Sequence, residues 1–308
     1  MSLFQPSTKA ASAVVSEIAD TVGASGDSEM LTRSLRSLNA AVEHFNNRSN
    51  WNFSLTEQAP ITVFAPFSVT GLTASGGAYW VDAPAGHGVK PYDFIGGNYF
   101  AMGTRVSSTA VSGFNIFGTV TGLVGTATGS ASFTRDMYDL PSNFKAMYSV
   151  RTLNNNTTLR QANRRFYDRS VSNEQTTTTP AGYDLFMVGG LGKLRLLPPP
   201  ASSDTLQVRY YRRMYIPTAT GDSTTLDIPQ DYEPYLIAWA KWHFLTDKGD
   251  GRLEQGKTWY TLGEQGLTMM VKEQNRKPDE DLMMIPGQFN YGNLNDSTTR
   301  MIPWEYGY

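Results

Sequence analysis

The 308-residue chain contains no cysteine. That excludes a disulfide framework, a thiolate nucleophile and a cysteine-ligated metal. Histidine is scarce as well, with only His44, His87 and His243. None stands at HxxxH, HxH or HExxH spacing, so the sequence carries no zinc signature. His44 and His243 fall in predicted helices and His87 in the glycine turn "PAGHGV", and each reads more simply as a structural residue. Charged residues make up 18% of the chain, and the net charge is -2. Globular proteins usually reach about a quarter. A strongly basic coat for nucleic acid or a membrane surface is therefore excluded. No apolar run approaches the roughly eighteen residues of a membrane span. The start, "MSLFQPSTKAASAVVSEIADTV", lacks a basic region followed by an apolar core, so no secretory leader is expected. These absences predict a soluble protein made and used in a cytoplasm.

Hydrophobic residues make up 40% of the chain, enough for a core, and aromatics 12%. Gly, Ser, Thr and Asn fill the place of the missing charges, a mix suited to β-rich proteins that bury surface against partners.

Two periods alternate along the chain. Residues 7–22 can form a short helix. Over 28–48, Leu31, Leu35, Leu38, Val42 and Phe45 recur at helical spacing, with Asp27 or Ser28 placed to cap the start. Glu29, Arg33, Arg36 and Glu43 decorate the other faces. Next come β-like runs: "WNFSL", "ITVFAPFSV", then "AYWV", "NYFAMGTRV", "GFNIFGTV" and "SASFTRDMY" within a Gly/Thr-rich stretch at about 67–135. "FKAMYSVRTL" alternates again. The polar run from Asn154 to Tyr183 reads as a long loop or short helix. "YDLFMVGG", "GKLRLLPPP" and "DTLQVRYYRRMYIP" read as successive strands. From Asp231 the helical period returns in Leu236, Ile237, Ala240, Phe244 and Leu245, widened by Trp239 and Trp242. A further helix is expected from about Leu253 to Lys277, with Tyr260, Leu267, Met270 and Val271 on one side, ended by Pro278.

The expected fold class is α+β: a helical bundle of N- and C-terminal helices with a long antiparallel β insertion between them, plus an extended C-terminal tail. The boundaries are 1–60 for the first helices, 61–230 for the β region with an extra unit at about 67–135, 231–277 for the last helices, and 278–308 for the tail. The tail shows neither period yet holds Phe289, Tyr291, Trp304, Tyr306 and Tyr308. A solvated tail is polar and poor in aromatics. These five are candidate docking residues, on the chain's own domain or on a neighbour.

The search for chemistry excludes the common motifs. "GGLGK" at Gly189–Lys193 lacks the spacing of a phosphate loop and lies between strands. "VTGLVGTATG" has no helix after it, and no GxSxG is present. Asp136 and Asp139 are close together, and two carboxylates suffice for a glycosidase. With Tyr79, Trp80 and Tyr92 as sugar platforms, polysaccharide binding or hydrolysis is an alternative. No cofactor or metal is predicted. Arg160, Arg164, Arg165 and Arg169 cluster in "RQANRRFYDR", and Arg209, Arg212 and Arg213 in "RYYRR". In strand alternation Arg209, Tyr211 and Arg213 share one face and Tyr210 and Arg212 the other. Arginines interleaved with aromatics can track nucleic acid. A solvated face with salt bridges is the plainer reading.

Four stretches in order carry a family resemblance: "LRSLNAAVEHFNNRSNWNFSL", "YDLPSNF", "GKLRLLPPPASSDTLQVRYYRRM" and "LDIPQDYEPYLIAWAKWHFL". Together they resemble the head-to-tail connector adaptor proteins of tailed bacteriophages, over roughly residues 28–60 and 136–275. The unit at about 67–135 departs from that pattern. The resemblance implies a dodecameric homo-oligomeric ring in the virion neck, without enzymatic activity. Its partners would be the portal protein on one face and a tail or stopper protein on the other, with double-stranded DNA passing through the centre and no membrane involved. It implies that the tail docks on the portal or an adjacent subunit, and that Arg164, Arg165, Arg212 and Arg213 are candidates to line the DNA passage. A stopper or tail-tube component of the same neck is the alternative within the family.

Overall fold

The computed structural model describes residues 5–75, 78–82, 89, 90, 92–96, 105, 106, 110–112, 115–119, 126–162, 179–188, 190–247 and 252–274. In chain order its elements are helices α1 (Ala11–Asp20) and α2 (Ser28–Arg48), then strands β1 (Leu55–Glu57), β2 (Ile61–Val63), β3 (Phe67–Ser75), β4 (Ala78–Asp82), β5 (Phe94–Gly96), β6 (Ala110–Ser112) and β7 (Asn115–Thr119). Strands β8 (Thr126–Thr134), β9 (Met137–Asp139), β10 (Phe144–Thr152), β11 (Thr157–Gln161), β12 (Gly182–Val188), β13 (Leu191–Leu197) and β14 (Asp204–Arg212) follow. Helices α3 (Glu233–Thr246) and α4 (Leu253–Gln274) complete them. Two compact units divide the chain. One holds the strands, in Asn46–Ile216 with Thr225–Ile228 and the described residues up to Thr8. The other holds Lys9–Phe45, Pro217–Thr224 and the described residues from Pro229 onward.

In the strand unit, eight described strands form a sheet in the order β1-β14-β10-β11-β12-β13-β9, with β2 also paired to β14. The pairs are antiparallel except β11 with β12. Alternation along β14 sends Leu206, Val208 and Tyr210 inward and Gln207, Arg209 and Tyr211 outward. The inward set joins Val63, Tyr138, Val150, Leu159, Leu194 and Leu196 in one core. Val63 and Tyr138 come from β2 and β9, at opposite ends of the strand order, so the sheet curls until its ends share that core. Strand β11 corrects the reading of the polar run from Asn154 as a loop or helix. Its only apolar side chain, Leu159, is buried between exposed neighbours, too little to register as alternation.

A second sheet, in the order β5-β8-β3-β4-β7-β6, is antiparallel throughout. It leaves the first sheet after β2 and returns to it at β9. "SASFTRDMY" is not one strand: β8 ends at Thr134, and Arg135-Asp136 separates it from β9.

In the helical unit, α3 is apolar on nearly every side, with Leu236, Ile237, Ala238, Trp239, Ala240, Phe244 and Leu245 buried. A helix apolar all round belongs at the centre of its unit. Helix α2 starts where Asp27 Oδ1 accepts the Glu29 amide at 2.8 Å. Its buried face is rotated from the leucine stripe. Ser34, Ser37, Leu38, Ala41 and Phe45 are fully buried, whereas Leu31 and Leu35 are only half-buried. Arg33, expected on an outer face, is buried because its guanidinium closes the end of α3. It donates to the Phe244 carbonyl at 2.8 Å, lies 3.6 Å from the Asp247 carboxylate and stacks over the Phe244 ring.

Asp231 does not cap α3. Residues 230–232 form a short 3-10 turn, Tyr232 takes the cap position without a side-chain bond, and Pro234 follows in the first turn. Helix α4 meets α3 through glycines. Gly256, Gly263 and Gly266 are buried, and a Cβ on Gly263 would lie 3.0 Å from Trp239 Cβ. Tyr260, expected on the packed side, is 43% exposed.

Candidate interaction surfaces and a buried charge clamp

Where the chain passes from β8 to β9, two adjacent residues of opposite charge turn inward. Arg135 forks onto Asp93, Nε and Nη2 each 2.9 Å from a carboxylate oxygen. Asp136, fully buried, accepts two bonds of 2.9 Å from Arg105 and one of 2.9 Å from Arg195. Arg105 also stacks 3.6 Å above the Phe94 ring and donates to the Tyr92 carbonyl at 2.6 Å. Tyr92 adopts φ 75°, a left-handed conformation uncommon outside glycine. Arg135 covers the Phe64 ring. Asp93 and Arg105 belong to the second sheet's side, Arg195 to β13 of the first. The clamp therefore ties the two sheets at their shared junction. Burial pushes the Asp93 carboxyl above its ordinary range, against the pull of Arg135. Burial likewise raises the Tyr138 hydroxyl.

This geometry separates the two carboxylates considered for sugar chemistry. Asp136 is sealed between two guanidiniums with no solvent face. Asp139 is 57% exposed and held by Lys193 and Lys90. Its hydrogen bond from Lys193 leads the effects that hold the carboxyl below the usual range. A hydrolytic pair needs both groups on one cleft, one of them able to carry a proton. Tyr92 is exposed, and the side chains of Tyr79 and Trp80 lie outside the described residues.

The histidines have structural company. His44 stacks on Trp239 at 4.5 Å between ring centroids, and its Nε2 lies 3.2 Å from Glu264, which also accepts the Trp239 indole. His243 Nδ1 meets Ser37 Oγ at 3.2 Å. His87 lies outside the described residues. Among those residues, no three His, Asp or Glu side chains group as metal ligands, and no helix is long and apolar enough to cross a membrane.

The arginines divide by strand face. Arg212 points to the inner side of β14 and pairs with Asp227, which also accepts the Tyr215 amide. Arg213 is exposed, and its amide donates to the Asn143 carbonyl. Its charge also helps to lower the pKa of half-buried Lys145, after the larger effect of burial. Arg164 and Arg165 lie outside the described residues, as do Phe289, Tyr291, Trp304, Tyr306 and Tyr308.

The outer face of β1, β14, β10 and β11 carries polar and aromatic side chains together. Register places Leu55 beside Tyr211 and Glu57 beside Arg209. The Glu57 carboxylate accepts from Gln207 at 2.7 Å and Arg209 at 3.1 Å, and these bonds, in that order, hold its pKa below the usual range. Tyr148 stands 55% exposed, edge-on to Tyr211. Arg151 and Arg160 extend the face across β10 and β11. Arg209 and Tyr211 were assigned a common face from alternation alone. Tyr148 joins that face although strict alternation along β10 does not place it there, because a β-bulge beside it shifts the register.

Residues 105–282, more than half of the chain, match the family of the SU10 adaptor protein. The chain belongs to that family. It is a phage head-tail adaptor, a structural component of the virion. The adaptor match runs from before β6, within the second sheet, through β14, α3 and α4. It takes in residues 105–135, where a departure from the family pattern was expected, and leaves out residues 28–60. No curated protein matches the adaptor.

Proposed function

We propose that this adaptor forms a closed dodecameric ring in the phage neck, joining the portal to the tail and surrounding the path of the DNA. The family match over residues 105–282 carries this reading. The surface supports it. Exposed Tyr148 and the arginines on the outer sheet face, and Tyr260 and Met269 on α4, are residue types enriched at protein interfaces. In a ring each copy offers two different surfaces, one to each neighbour. The helices build the ring body. Residues 278–308 dock outside their own domain through Phe289, Tyr291, Trp304, Tyr306 and Tyr308. In this reading Arg164, Arg165 and Arg213 line the DNA passage, whereas Arg212 already pairs with Asp227. No catalytic step is assigned.

Mass tests this function directly. Light scattering of the protein, alone and mixed with its portal, should find a species near a dodecamer of 34.0 kDa subunits. A strictly monomeric protein that never joins the portal refutes it.

A further inference from the structure

The charge of the chain is unevenly distributed. Residues 278–308 contain Asp279, Glu280, Asp281, Asp296 and Glu305 against the single Arg300, a net charge of -4 in a chain of net -2. The preceding residues therefore carry a surplus of +2 by difference. Part of that surplus is gathered on the outer face of β1, β14, β10 and β11. There Arg151, Arg160 and Arg209 face outward with Glu57 as the only described carboxylate among them. Beside them stand Tyr148, Tyr211 and Leu55, at least partly exposed and forming one apolar row across the strands.

We propose that this face receives the acidic, aromatic segment 278–308 of a neighbouring copy. The inference rests on the ring reading and names the surface that the segment binds. Carboxylates at 279–281 meet the arginines, and the aromatic side chains pack on the tyrosine row. Opposite charge sets the register of such a contact, and desolvated aromatics supply its strength. Arg209 is already oriented by Glu57, which Gln207 also holds, so little side-chain freedom is lost on binding. A segment-to-face contact repeated from copy to copy is heterologous and closes with the ring. An arginine-tyrosine face can also hold nucleic acid. The chain's own segment of opposite charge, rich in aromatics, favours the protein partner.

The test uses the full-length protein with Tyr148→p-benzoylphenylalanine. Illumination should give a covalent dimer whose linked peptides derive from residues 278–308. Arg151→Glu with Arg209→Glu should lower that yield about tenfold or more, and Asp279→Lys, Glu280→Lys and Asp281→Lys should restore it in the same protein. Light scattering on each variant before illumination reports the ring separately. Rings that cross-link elsewhere overturn this inference and leave the ring reading intact. Protein that stays monomeric both alone and mixed with its portal refutes the ring reading and this inference with it. Cross-links confined to single chains, or to added DNA, overturn the proposal as well.

Discussion

Asp136→Asn isolates the worth of the clamp. The substitution keeps the side chain's size and removes the charge that holds Arg105 and Arg195. Arg105 keeps the Tyr92 carbonyl and the Phe94 ring, but its fork loses its anion. Arg195, with a side chain 15% exposed, loses the carboxylate its Nε donates to. Breaking a buried pair by removing one partner costs about 3–5 kcal/mol, because the remaining charge stays desolvated. Three charge-assisted bonds at 2.9 Å place Asp136 in that range. Asp139→Asn is the control. That carboxylate is 57% exposed, and its pairs with Lys193 and Lys90 are screened by water, so its loss costs under about 1 kcal/mol. Urea unfolding followed by far-ultraviolet circular dichroism reads both, with unchanged slopes confirming a common unfolded state. The double cycle with Arg195→Met should also show coupling. A cost for Asp136→Asn no greater than for Asp139→Asn refutes the clamp argument.

Gly266→Ala drives a Cβ into the Tyr235 ring. It should destabilise by about 1–3 kcal/mol despite the better helix propensity of alanine, whereas Gly221→Ala, with open space, should be near neutral in thermal unfolding. Arg33→Met removes the charged donor to the Phe244 carbonyl and should cost about 1.5–3 kcal/mol in the same assay. Glu17 gives the pH dependence. Burial pushes its carboxyl up, but hydrogen bonds from Lys241 and Lys9 outweigh burial and bring its pKa below 4.5. A depressed folded pKa means the contribution is present above that value and lost as pH falls through the lower folded one. With the side chain 39% exposed, the amount is below about 1 kcal/mol. Glu17→Gln should lower the urea midpoint slightly at pH 7 and not at pH 3.

Helix α2 was legible because a cap and a period agree, and its expected span 28–48 is the span observed. Its orientation was not legible, since Ser34 and Ser37 are not apolar yet are buried as fully as Leu38. The packed face of α4 eluded apolar counting because it is built of missing side chains: three glycines admit α3, and Tyr260 lies at the edge of the contact, on the Trp242 ring. The clamp was half visible. "FTRDMYD" set two opposite charges side by side in a chain poor in charge, at the edge of the Gly/Thr-rich stretch. Its partners Asp93, Arg105 and Arg195 are far away in sequence, and only folding brings them to one point. The outer sheet face was legible where β14 alternates and lost where β10 bulges.

The clamp also bears on how a chain like this can change over generations. Strands β3 and β8, which carry the second sheet out and back, lie side by side with Phe67 opposite Phe133. The chain thus enters and leaves this sheet at adjacent points, so the sheet can be gained or lost as a cassette. Excising residues 67–133 would remove both Asp93 and Arg105 in one step. Asp136 would keep Arg195, but Arg135 would be left without its carboxylate. Loss of the cassette is therefore coupled to position 135. A relative without the second sheet should carry an uncharged residue there, and one that keeps the sheet should keep the arginine.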